Sequence, residues 1–582
     1  MRIRLSPWSS AALALAALVL FLSKQGVPIH SAALAHPAAT AGVLLLAALA
    51  VSGRFYGRLA DGFERICAWP RFRFNAGLFA VALLAYASVA GFVFHGLPRV
   101  DDGMASLFQA RIFARGALTL PVPPDASFFR IFAVLGEEEG LAHWCGMYPP
   151  GWPALLTPGV WLGVPWLVNP LLGALLVVTI GELGRGFYGD RTGRVAALLS
   201  LPSPFLAVLS GLHLSNVPTT LFLCLALLAL QKLWANARWF WGGAAGLAWG
   251  VAFLCRPLDA VVLGAIFALG FLFPAKRLWR CRLGIAAGLA AAGLAAGTLM
   301  GFQKATTGDW QTPGHAIGMG DFGKMGFVPL PKGQSHTPEL GLEHTFKRLR
   351  ALNDNLLGWP VPSLLVVLLP FLLRRARVRE CLLLLPMPAL LLTFAFFWYY
   401  EWCFPARYLS ATTPYLFLLA ARGLFALREA AGSCRIAARA PAFLAVSGTL
   451  FLAVSAPFHF RPYDADYYDV EDVLPRVVRD YGISRALVFM DAIRIDRTHP
   501  DPENDYYATG FMRNDLDLEG DVIYVRNLRE RNVELVRKHP ERDAYLYRYH
   551  RRKGKAYLYR MVPEGEELKL FLVEPRTGDL ML

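Results

Sequence analysis

Arg99-Val100-Asp101-Asp102-Gly103 places two adjacent acids just after an apolar run, residues 76 to 94, and just before a short amphipathic stretch carrying Gln109, Arg111 and Arg115. The nature of that run decides the fold. If it crosses a membrane, the acids stand at one of its mouths; if it packs in a soluble core, they belong to a surface loop. From the pair alone, a catalytic loop and a solvated interfacial loop are both open.

Composition settles the first question. Of 582 residues, 55% are hydrophobic and mean hydropathy is +0.40, above the about 45 to 50% apolar content of soluble domains. The apolar residues come in repeated blocks of roughly 17 to 22, the length with which a helix crosses about 30 Å of hydrocarbon. They do not alternate as barrel strands would. A net charge of +15 suggests nucleic acid only until the basic residues are located. They sit in short clusters between apolar blocks, as cytoplasmic loops do under the positive-inside rule.

Eight cysteines show no CxxC spacing, and most fall inside apolar blocks, where a small hydrophobe is the default reading. Cys145 and Cys403 fall in expected outer loops, and two free thiols are preferred there over a disulfide. The N-terminus, with Arg2, Arg4 and an apolar run from 11 to 22, resembles a signal peptide. It lacks a small-residue cleavage site and another span follows at once, so it reads as a retained first helix.

Keeping every basic cluster inside gives about thirteen spans, with the N-terminus cytoplasmic and the C-terminus outside. The first ends near Leu22 and the second covers residues 32 to 51; Arg54, Arg58, Arg65, Arg71 and Arg73 then form an inner loop. The run from 76 to 94 therefore exits outward, and Asp101 and Asp102 lie outside. Residues 98–150 form a long outer loop ending in Tyr148-Pro149-Pro150-Gly151-Trp152-Pro153, whose apolar continuation is too short to cross and reads as a re-entrant or half helix. Further outer segments are expected at 303–357 and 399–408.

The expected fold class is thus an all-α polytopic membrane bundle over residues 1–458, followed by an extracytoplasmic α/β domain over 459–582. In the latter, short β-like runs begin at Ala486, Asp521, Ala544, Ala556 and Leu568, with helical runs around 470–480 and 528–538.

With that threading the polar clusters collect outside: Asp101 and Asp102 with Gln109 and Arg111, Tyr148, His213 with Asn216, Arg256, Lys304 with Asp309, and Glu401 with Arg407. A carboxylate beside guanidinium groups suits a reaction in which a hydroxyl is deprotonated while a phosphate leaves. Each residue also has a plainer reading. Arg256 before Pro257 can be a snorkelling helix end, and His213 and Asn216 can cap the following helix. Arg407 can be an interfacial anchor. Glu137-Glu138-Glu139 reads as a solvated patch ahead of a metal site.

The ordered set of the acid pair, QARIFARG, YPPGWP, VNPLLGAL, HLSNVPTT, FLCRP, TGDWQTPG and FPARYL resembles the GT-C superfamily of polytopic glycosyltransferases. The likeness is to the bacterial branch that includes protein mannosyltransferases and lipid A aminoarabinose transferases, over roughly residues 75 to 425. It implies a polyprenyl-phosphate sugar donor, an envelope lipid, glycan or protein acceptor, inverting transfer on the extracytoplasmic side, and residence in the inner (plasma) membrane. It makes Asp101 the catalytic member, with Asp102 beside it. Arg111, Arg256, Lys304 and Arg407 become candidates for the donor phosphate, with Gln109, Tyr148, His213, Asn216 and Glu401 as further substrate contacts. Where relatives often carry a second acid before a proline, this chain has Ser215-Asn216-Val217-Pro218. No metal ligand is assigned, and a divalent ion is left open. Two other classes remain: a transporter or lipid flippase, and an envelope scaffold.

Overall fold

The computed structural model describes residues 53–573 apart from 272–274, 330–334, 402, 405, 434–436, 465–466, 468–469, 471, 491–506 and 551–554. The first two expected spans lie outside the described residues.

In hydrocarbon each backbone N–H and C=O must be satisfied within its own segment, so long apolar blocks fold as helices. Among the described residues six are long and apolar enough to cross a membrane: Arg71–Val93, Pro165–Tyr188, Asn216–Asn236, Leu278–Thr307, Val378–Ala395 and Arg407–Ala430. Asp190–Ser200 and Pro204–Gly211 form a pair bent by 62°. Pro202 and Pro204 prevent a continuous helix there, and Ser203 Oγ caps the second piece by accepting from Leu206 N. Four shorter apolar helices complete the set: Trp239–Cys255, Pro257–Gly270, Ser363–Leu372 and Ala440–Ala456. These segments follow the apolar blocks of the sequence in order.

Burial orders the bundle. The apolar window of Arg407–Ala430 is 89% buried, against 22% for Arg71–Val93 and 17% for Leu278–Thr307, so the first is central and the others are rim helices. Without water to drive association, small residues let helices approach. Gly242 and Gly246 lie directly against Gly284 and Gly288, where a Cβ would meet backbone. The half helix expected after the Tyr148–Pro153 motif is Gly151–Trp161.

The segment between the Arg71–Val93 span and the half helix holds the helix Asp101–Ala114 and three short strands, β1 (Leu120–Pro121), β2 (Val134–Leu135) and β3 (His143–Gly146), with β3 in the middle. Toward the C-terminus, β4 (Ala486–Met490), β5 (Val522–Arg526), β6 (Asp543–His550), β7 (Lys555–Glu564) and β8 (Glu567–Leu572) form one sheet in the order β5-β4-β6-β7-β8. β4 runs parallel to β5 and β6, whereas β6, β7 and β8 are antiparallel. The unbroken apolar run of β4 is buried along its whole length, as a central parallel strand covered on both faces requires. The short helices Leu474–Asp480, Tyr507–Phe511 and Asn532–Lys538 flank these strands.

The core of this sheet continues into the 98–150 segment: Leu487, Phe489 and Phe511 share one buried cluster with Met104, Phe108 and Trp144, while the membrane helices gather in another.

Candidate active site

The acids open the helix Asp101–Ala114. Val100 is extended, and its carbonyl accepts from Gly103 N and Met104 N, starting the helix. Two carboxylates in the first turn suit the positive end of the helix dipole. Just before them, buried Arg99 donates from Nε to Phe94 O and from Nη1 to Val470 O, fixing the chain that enters the turn.

Asp102 is held on both oxygens. Tyr148 Oη donates to Oδ1 at 2.5 Å, and Arg407 Nη2 lies 3.0 Å from Oδ2. Burial, and then the neighbouring Asp102 charge, push the Tyr148 phenol well above its ordinary range, so it stays a donor. Asp101, one residue earlier, is half-buried in the same turn.

Arg407 is buried and also donates from Nη1 to Cys403 Sγ at 2.7 Å. Its own carbonyl accepts from Asn216 Nδ2 at 2.8 Å, and Asn216 Nδ2 reaches Ser410 Oγ at 3.1 Å. Asn216 therefore ties the start of one membrane helix to the turn carrying Arg407.

The neighbouring Tyr408 ring gathers three guanidinium groups: Arg256 at 5.1 Å, Arg407 at 5.4 Å and Arg348 at 6.0 Å from its centroid. An aromatic face attracts cations at such range. Arg256 is anchored by Asp259 Oδ2 at 2.7 Å. Arg348 and Glu401 form a fully buried pair, with Nε 2.9 and 3.2 Å from the two carboxylate oxygens, and the remaining Arg348 donors go to Phe394 O and Tyr399 O. Glu401 thus neutralises Arg348 at the edge of the group.

His213 packs against the acid turn, since a Cβ on Gly103 would lie 3.1 Å from both His213 Cβ and His213 O. It is buried, neither ring nitrogen has a partner among the described residues, and burial pushes its imidazole down to about 4. Its carbonyl accepts from Trp152 Nε1 at 2.9 Å. Arg407 Nε is likewise buried and without a partner among the described residues. Polar groups buried this way carry an unmet hydrogen-bonding capacity.

Other expected residues are engaged elsewhere. Gln109 accepts from Gly146 N at 2.9 Å and donates to Leu118 O at 2.8 Å, stitching the 98–150 segment together. Arg111 donates to Met512 O at 2.8 Å and Asn514 O at 3.3 Å, toward the C-terminal sheet. Lys304 is exposed and donates to Gly308 O at the end of its helix, and Asp309 closes the turn that follows. Glu138 pairs with Arg130, and Glu139 caps Gly136 N. Cys145 and Cys403 are free thiols. Among the described residues no three His, Cys, Asp or Glu side chains come together as metal ligands.

Sequence reasoning missed Tyr408, Arg348 and Asp259. Asp259 carried a signal, three residues beyond Arg256 at a helix start, the spacing of an ion pair. Arg348 lies on the buried stripe Gly341, His344, Arg348, Leu352, a helical period readable in advance.

Residues 164–300 match the family model of dolichyl-phosphate-mannose-protein mannosyltransferases, and residues 498–569 match a domain of unknown function, DUF7846. No curated protein matches the chain. Among solved structures, ArnT from Cupriavidus metallidurans bound to undecaprenyl phosphate is 13% identical with a TM-score of 0.48, covering 81% of this chain and 92% of that one. The apo form of the same protein is 14% identical with a TM-score of 0.49, at the same coverage. AglB from Archaeoglobus fulgidus, in complex with an inhibitory peptide and a dolichol-phosphate, is 11% identical with a TM-score of 0.33, covering 78% and 65%. The chain resembles the polytopic GT-C glycosyltransferases, and the mannosyltransferase model falls inside the region that carries the ordered motifs.

Proposed function

We propose that this protein transfers a sugar from a polyprenyl-phosphate donor to a hydroxyl of an envelope lipid, glycan or protein, on the extracytoplasmic face of the inner membrane and with inversion. In this reading thirteen spans place the N-terminus in the cytoplasm and residues 459–582 outside.

The observation that carries it is the meeting of Asp102 with Arg407 and Tyr148, beside a tyrosine ring that gathers Arg256 as well. Asp101 takes the proton of the acceptor hydroxyl as general base. The acceptor oxygen then bonds to the anomeric carbon, and the bond from that carbon to the phosphate oxygen breaks. The leaving phosphate gathers negative charge, which the guanidinium groups of Arg407 and Arg256 neutralise in a site from which water is largely excluded. Asp102, held on both oxygens, keeps the helix turn and hence Asp101 in place. His213 and Arg407 Nε supply donors or acceptors for the sugar or its phosphate.

The mannosyltransferase model match supports a lipid-phosphate-linked donor. The transporter or flippase alternative expects charges at mid-membrane; here the meeting charges sit at the start of the helix Asp101–Ala114 and at the start of the central span. The test is transfer by purified protein from a panel of polyprenyl-phosphate sugars, with and without chelator. Full transfer by a folded Asp101→Asn variant would sink the role of Asp101.

A further inference from the structure

The C-terminal α/β unit, matched over residues 498–569 by a family model of unknown function, holds the helix that bears the acids from both of its ends. Two residues before Asp101, the buried Arg99 guanidinium reaches Val470 O in the segment leading to the sheet. At the other end, Arg111 donates to Met512 O and Asn514 O, and Arg115 makes a two-pronged pair with Asp517 at 2.6 and 2.7 Å. The receiving turn is itself fixed, because buried Asn514 donates to Tyr524 O and accepts from Tyr524 N, both on β5.

Between the two ends the contact is apolar. Phe108, in the middle of the helix, lies 5.5 Å from the Phe511 ring and 4.8 Å from Trp144, and Trp144 and Phe511 are 5.7 Å apart. Phe511 stands on the short helix ahead of the Met512–Asn514 turn. The acid helix thus runs between the membrane bundle, which it meets through Asp102 and Arg407, and the sheet, which grips its other end.

The geometry points to the C-terminal α/β unit as a positioning device that sets the tilt and register of the acid helix against Arg407, with Arg111 and Arg115 as positioning residues. A helix of this length is a rigid lever. A small displacement at Arg111 is carried to Asp101 and Asp102, and a shift near 1 Å at a reacting group can cost about 100-fold in rate. The weight rests on Arg111 and the aromatic triad, since an exposed pair such as Arg115–Asp517 contributes little by itself. The proposal builds on the role of Asp101 and Asp102 given above, and it reassigns Arg111 from the donor phosphate to the sheet.

The experiment uses the full-length protein in membranes or detergent. Arg111→Gln should lower turnover by about 10- to 100-fold, leave the KM for the lipid donor unchanged, and speed backbone hydrogen exchange over residues 101–114 while the melting temperature stays near wild type. Should that variant fail to fold, Arg115→Asp carries the same expectation to a smaller degree, and adding Asp517→Arg should restore both turnover and exchange. A raised donor KM with turnover kept would return Arg111 to the phosphate and overturn the proposal. Unchanged turnover together with unchanged exchange would overturn it too. Exchange also separates the two readings: if wild type transfers no sugar from any donor, the glycosyltransferase reading fails while protection of residues 101–114 still tests the clamp.

Discussion

Arg407 Nη2 stands 3.0 Å from Asp102 Oδ2, joining the first turn of the helix Asp101–Ala114 to the start of the most buried of the long apolar helices. The Arg407 guanidinium is buried, whereas Asp102 keeps part of its surface in solvent, so the weight of the pair lies in aiming the guanidinium fork. Arg407→Gln should therefore lower kcat/KM for the lipid donor by about 100-fold or more, in line with loss of a group that stabilises developing charge. Arg407→Lys should recover only part of this, because a single ammonium cannot reproduce a fork that reaches Asp102 and Cys403 together. Steady-state kinetics with varied donor checks both.

The two acids should separate on mutation. Asp101→Asn removes the proposed base and should cut kcat by about 10²- to 10⁴-fold, with binding of the polyprenyl phosphate product retained. Asp102→Asn keeps a shape that can still accept from Tyr148 and should cost less in kcat. It should also destabilise the protein, because buried Arg407 loses its counter-charge. Product binding measured beside turnover distinguishes the two.

These pairings show where sequence reading succeeds and where it stops. Apolar blocks such as 168–188 and 216–236 became helices because lipid leaves the backbone no alternative partner, and the run at 486–490 became a buried parallel strand for the reason its composition suggests. The acid turn, Arg256 and Arg407 were readable as polar groups at the ends of apolar blocks, and folding brings them together. Gln109 and Arg111 were not readable, because their partners are backbone carbonyls and amides at 118, 146, 512 and 514, which no residue pattern marks. Tyr408 was hidden for another reason. Its part is to gather three guanidinium groups from distant segments, a property of the folded arrangement.

Gly151, inside the Tyr148–Pro153 motif, tests how the half helix sets the site. A Cβ there would lie 2.5 Å from Leu254 C and 2.7 Å from Cys255 N, the backbone immediately before Arg256. Those atoms belong to a packed helix and cannot swing aside as a side chain could. Gly151→Ala should cost about 1–3 kcal/mol in stability, as overpacking does, and weaken donor binding by displacing Arg256 from the Tyr408 ring. Thermal unfolding and donor KM should move together.

Two buried histidines give a pH dependence with a definite sign. Burial pushes His213 and, with help from nearby Arg348 and Lys347, His344 down to about 4, whereas in the unfolded chain both titrate near the ordinary value of about 6.5. Between those values the unfolded state binds more protons than the folded one, so stability rises with pH across that window. It is fully present above about 6.5 and is lost progressively as pH falls toward 4. A His213→Gln variant has no such group to charge, so its melting temperature should fall less steeply between pH 6.5 and 4 than that of the wild type. Parallel curves for the two proteins would show that folding leaves the His213 imidazole unshifted.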